Sequence, residues 1–70
     1  MKETVVNQVR ERRVARGLTQ EELATLAGVS RQSVISIERG RYVPSLPLAL
    51  RLARIFGCPV DDLFRLEDDR

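Results

Sequence analysis

TQEELATLAGVSRQSVISIERGR, residues 19–41, reads as two short helices joined by a tight turn. Thr19-x-x-Glu22 is a capping box. The threonine oxygen accepts from a backbone N–H of the first turn, and the glutamate reaches back to the cap. Leu23, Ala24 and Ala27 share one face of the helix that follows. Gly28 supplies the left-handed conformation that a sharp turn requires, and Val29 plugs the corner. Ser30 caps the next helix, which is expected to end near Arg39 with Gly40 behind it. Val34 and Ile37 face inward, so Arg31, Gln32, Ser33 and Ser36 are left on the outer face. Ala24 is small where two helices must cross closely. Such a pair can set one helix into the major groove of DNA.

Outward from this segment, Gly17 closes a first helix expected over residues 7–16. Asn7 is its N-cap, and Arg13 and Arg16 suit its C-terminal end. Ser45 opens a fourth helix in which Pro47 falls in the tolerant first turn. Ala49, Leu52, Ala53 and Phe56 form its core stripe, and Leu48 and Ile55 form a second apolar edge. Gly57 stops it, and Pro59-Val60-Asp61-Asp62-Leu63 reads as one more helical turn. Thr4-Val5-Val6 and Phe64-Arg65-Leu66 each read as a short strand, and the two are placed to pair. The predicted fold class is all-α. It is a compact bundle of four or five helices around a helix-turn-helix at residues 19–40, with a small two-stranded sheet from the chain termini. Residues 1–70 are expected to form a single DNA-binding domain.

Seventy residues allow only a small core, which favours stabilisation by dimer formation. The hydrophobic share of 43% and charged share of 31% fit a globular rather than a disordered chain. Residues 1–41 carry eight basic and five acidic side chains, whereas residues 42–70 carry four and five. The basic half holds the helix pair, where a polyanion would attract it. Asp61, Asp62, Glu67, Asp68 and Asp69 concentrate negative charge at the other end. The single cysteine, Cys58, precludes an intrachain disulfide and suits a reducing cytoplasm, and its setting between Gly57 and Pro59 suits buried packing. No apolar run is long enough to span a bilayer, and residues 1–8 lack the apolar stretch of a signal peptide. With no histidine there is no histidine base or ligand, and a single cysteine without histidine excludes the usual zinc sets. Asp61 and Asp62, adjacent on a helix, diverge and favour its N-terminus rather than forming a catalytic pair. The reading is therefore a non-enzyme with no cofactor, no metal and no small-molecule substrate.

Several motif elements in order carry a resemblance. They are Gly17-Leu18-Thr19-Gln20-x-Glu22-Leu23-Ala24, then Gly28-Val29-Ser30-Arg31-Gln32-Ser33, then Ile37-Glu38-x-Gly40. Pro44-Ser45-Leu46, Leu52-Ala53 and Asp62-Leu63-Phe64 extend it, so that it covers residues 7–64. The chain resembles the XRE family of transcriptional regulators, the phage-repressor and Cro type with the lambda-repressor-like fold. The resemblance implies that Gln20 binds a phosphate and braces the third helix. It implies that Arg31 and Gln32 read base edges, since arginine suits guanine and glutamine suits adenine. Ser30, Ser33 and Ser36 would lie in the same interface, the latter two as shorter contacts. Arg41 and Tyr42 would hold the phosphate backbone, and Glu38 would pair with Arg13 beneath the DNA surface.

Two residues stay open. Tyr42 suits either a phosphate or the surface of the fourth helix. Ile35, on the outer side of the third helix, suits either a thymine methyl or edge packing. The expected partners are double-stranded DNA and a second copy of the chain. The homodimer contact is expected between residues 48 and 66, away from the DNA. Its third helices would enter successive major grooves of a palindromic operator, and the regulator would act as a repressor. The rival reading is an antitoxin-like or adaptor protein that keeps the fold and uses the edge of Leu48, Ile55, Leu63 and Leu66 to bind another protein.

Overall fold

A computed structural model describes residues 2–69. The side chains of Lys2, Asp68 and Asp69 lie outside the described residues, and with them part of the acidic cluster expected near the C-terminus. The elements run β1 (Lys2–Asn7), α1 (Val9–Ala15), α2 (Gln20–Ala27), α3 (Arg31–Glu38), α4 (Leu46–Phe56), α5 (Val60–Leu63) and β2 (Phe64–Asp69). The expected all-α bundle with a terminal two-stranded sheet is observed.

Each helix starts and stops for a local chemical reason. Thr19 Oγ1 accepts from the Glu22 N–H at 3.0 Å, and the Glu22 carboxylate accepts from the Thr19 N–H at 2.8 Å. Ser30 and Ser45 cap α3 and α4 through their hydroxyl oxygens. Gly28 has φ +73° and lets the chain turn out of α2, with its N–H and that of Val29 donating to Thr25 and Ala24 carbonyls. This two-bond stop satisfies carbonyls the helix end leaves orphaned. The boundary of α1 differs from expectation. Asn7 ends β1, and its Oδ1 accepts the Val9 N–H at 3.0 Å while its Nδ2 donates to the Ile37 carbonyl. One side chain thus caps α1 from the strand and ties it to α3.

The core gathers one side chain or stripe from each helix. Val9 comes from α1, Leu23, Ala24 and Ala27 from α2, and Val34 and Ile37 from α3. Leu48, Leu52, Ala53 and Phe56 come from α4, and Leu63 from α5. Each large member contributes about 1.5–3 kcal/mol by leaving water. Cys58 packs partly buried against this cluster.

The second apolar edge is corrected. Leu48 and Leu63 are buried, and Ile55 packs against the core, so only Leu66 of that set faces outward. The exposed apolar side chains of this region are instead Val43, Leu46, Leu50 and Leu66.

β1 and β2 pair antiparallel from Lys2↔Asp69 to Asn7↔Phe64, with Val5 opposite Leu66. Arginines fasten elements that the sequence places far apart. Arg16 donates to the Ile55 and Phe56 carbonyls at the end of α4, at 3.3 and 2.9 Å. Arg51 donates to the Ala27 carbonyl at the end of α2 at 2.7 Å. Cations are favoured at helix C-termini, but these two serve neighbouring helices rather than their own.

Candidate nucleic-acid interface

Glu38 fixes how α3 is presented. Its side chain is 3% exposed and lies on the inner side of the helix end. Arg13 Nε donates to Oε2 at 2.7 Å, and Arg13 Nη2 donates to Oε1 at 3.2 Å. Gln20 Nε2 donates to the same Oε1 at 3.2 Å. A carboxylate only accepts, so Gln20 must turn its NH₂ inward. Arg13 Nη1 completes the junction on the Leu18 carbonyl at 2.8 Å. The expected Glu38–Arg13 pair is thus present, and Gln20 braces α3 through the same carboxylate. α1, α2 and α3 meet at one buried charge.

The opposite side of α3 is open. Arg31 and Gln32 are exposed at its N-terminal end, and Ser33, Ile35 and Ser36 are half-buried. All of these but Ile35 border two separate clefts. Arg31 shares the first with Arg13, Thr19, Gln20 and Glu21, between α2 and α3. Gln32, Ser33 and Ser36 share the second with Ser30 and Tyr42. Tyr42 therefore stands beside the outer face of α3. The Ser30 and Ser33 hydroxyls lie 3.1 Å apart, so each is already a partner for the other. Ile35 is half-buried and is not among the residues packed on the core cluster.

At the far end of α3, Gly40 and Arg41 close the helix by donating to the Ile37 and Ser36 carbonyls. Arg39 and Arg41 are exposed there. Arg39 was not singled out from the sequence. Its signal was available: a cation one residue before the helix-ending Gly40, two before Arg41. Among the described residues, Arg13–Glu38 is the one ion pair, so these outward cations hold no carboxylate. No helix among the described residues is long and apolar enough to cross a membrane.

A capped, glycine-turned helix pair with a cation-bearing outer helix defines a helix-turn-helix protein of the DNA-binding regulator class. The helix-turn-helix family model matches residues 9–63. An uncharacterized HTH-type transcriptional regulator of Methanocaldococcus jannaschii is 49% identical over 90% of this chain and 96% of its own length. The cryptic phage CTXphi transcriptional repressor RstR of Vibrio cholerae is 35% identical over 81% of this chain and 51% of its own. Among solved structures, the restriction-modification controller protein C.AhdI of Aeromonas hydrophila superimposes with a TM-score of 0.73 at 40% identity. That match covers 79% of this chain and 83% of the controller. The chain belongs to the XRE-type helix-turn-helix family and is a transcriptional regulator with a DNA-binding fold.

Proposed function

We propose that residues 1–70 act as one sequence-specific DNA-binding unit, a cytoplasmic repressor that binds a palindromic operator as a homodimer. The observation that carries this is the two-sidedness of α3. Its inner side is clamped by the Glu38 junction, and its outer N-terminal end presents Arg31 and Gln32 with no carboxylate partner among the described residues. A rigid helix with long polar side chains at its leading end is suited to reading base edges.

Roles divide by position. Arg31 and Gln32 read bases, Arg31 from the cleft beside α2 and Gln32 from the cleft beside Tyr42. Ser36 and Tyr42 make closer contacts from that second cleft, and Ser33 joins them by releasing Ser30. Gln20 spends one N–H on Glu38 and keeps the other for a phosphate. Arg41 neutralises a phosphate at the far end of α3, which positions the protein without reading sequence. The repressor named RstR and the controller protein C.AhdI support a small regulator that acts on transcription directly.

Selection of bound sequences from random DNA tests this reading. The expected site has two inverted half-sites whose centres lie about 34–36 Å apart. Absence of salt-dependent affinity for every DNA sequence would overturn it and favour the adaptor or antitoxin-like alternative.

A further inference from the structure

An apolar groove of about 560 Å³ runs along the flank of the molecule next to the exit from α3. Val5, Phe64 and Leu66 of the terminal ribbon form one wall. Val43 of the loop after α3 and Leu46 of α4 form the other, with Val60 of α5 at the base. Asp61 is its one charged lining residue among the described residues. Of its lining residues, Leu46 and Leu66 are each 66% exposed and Val43 is 59% exposed. We propose that a second copy of this chain occupies the groove, so that the first and last strands, paired as a ribbon, form part of the dimer interface. This rests on the homodimer reading above and assigns its surface.

Three observations favour a second copy over another partner. First, knob and hole lie on one patch, as a two-fold contact requires, because each copy must offer both. Second, the three exposed side chains of the groove present on the order of 300 Å² of apolar surface. That is more than a third of the roughly 800 Å² each partner buries in a standard interface, and the groove walls supply more. Third, the loop at 41–45 leads directly from α3 into the groove. A two-fold axis beside that loop can set both α3 helices on one side of the dimer. Half-sites about 34–36 Å apart put each α3 about 17 Å from the axis. A molecule measuring 37 × 23 × 22 Å accommodates that offset. Like charges repel across a two-fold, so the axis runs near Val43 and Leu46, away from Asp61.

The ribbon is needed because it holds Val5 and Leu66 as a cross-strand pair on the groove face. By the alternation of side chains along a strand, Val5 and Asn7 share a face with Phe64 and Leu66. Asn7 is anchored on the Ile37 carbonyl of α3. The groove wall is therefore fixed to the reading helix through one hydrogen bond and one strand pairing.

The test uses the whole chain in sedimentation over a concentration series, with Leu46→Glu and Leu66→Glu against Leu26→Glu. Leu26 is 57% exposed and lies outside the groove. The wild type and Leu26→Glu should dimerise alike, and each groove variant should weaken self-association by about 30-fold or more. Concentration-dependent NMR shifts of the wild type should centre on Val43, Leu46 and Leu66, a readout that needs no variant to fold. A wild type that stays monomeric on and off DNA would overturn the proposal, as would groove variants that dimerise normally or shifts centred elsewhere. A monomer that still selects one DNA sequence would remove the interface and leave base reading intact. A groove dimer that ignores DNA sequence would do the reverse.

Discussion

Replacing Glu38 by Ala removes the acceptor shared by Arg13 and Gln20. Three hydrogen bonds vanish, at 2.7, 3.2 and 3.2 Å. Arg13 is 12% exposed and keeps only its bond to Leu18, so two of its donors are stranded near the core. Breaking one side of a buried pair costs about 3–5 kcal/mol, because the remaining charge is left without compensation. Arg13 can swing partway to water, which places the expected loss near the lower end, about 3 kcal/mol. A chain of 70 residues has a total stability of only about 4–10 kcal/mol. The melting temperature should fall by about 12–24 °C, at about 4–8 °C per kcal/mol for this size. Thermal denaturation followed by circular dichroism measures it. The double variant Arg13→Met with Glu38→Met should lose less than Glu38→Ala alone, since no charge is stranded. The reasoning is refuted if Glu38→Ala melts within about 3 °C of the wild type while DNA binding disappears, for that would make Glu38 a recognition residue.

Arg31→Ala or Gln32→Ala should cost about 1–3 kcal/mol of operator affinity and relax selection at one position per half-site; equal losses on operator and random DNA would exclude base reading. Arg41→Ala should weaken binding to all sequences and reduce the salt slope by about one per half-site. An unchanged slope in titrations across salt concentrations would remove Arg41 from the phosphate contacts. Gly28→Ala should destabilise the fold by about 1–2 kcal/mol through its positive φ. Crowding adds little there, because the new Cβ would meet Arg51 Nη1 at an ordinary 3.6 Å; a melting curve that matches the wild type would contradict the assignment of that strain.

What the sequence made legible is what lies within a few residues. The Thr19–Glu22 box, the Ser30 and Ser45 caps and the helix stops are local hydrogen-bonding patterns, and the amphipathic stripe of α4 repeats with the helix. The Glu38–Arg13 pair became visible only through family resemblance, because nothing local joins residues 25 apart. The reach of Arg16 to α4 and of Arg51 to α2 was hidden for the same reason, since long flexible side chains carry no periodic signal. Leu48 and Ile55 misled as an outward edge because α4 is enclosed over a wider arc than its main stripe suggests. The outer face of α3 was readable as a set of residues. Its division into two clefts depends on Tyr42 coming back beside Ser33 and Ser36, a matter of loop path rather than of helix phase.

The pairing of Lys2 with Asp69 makes the fold almost a ring. Lys2 and Asp69 lie side by side on the paired strands. Closing the ring also gathers residues more than sixty positions apart, which costs about 1–2 kcal/mol more chain entropy than closing the helix pair. The helices are favoured to assemble first and the ribbon to zip last. A chain caught before that step would own its reading helix without the finished flank. Joining the ends with a short turn and opening the chain elsewhere would separate these two stages, giving a permuted protein in which closure no longer comes last.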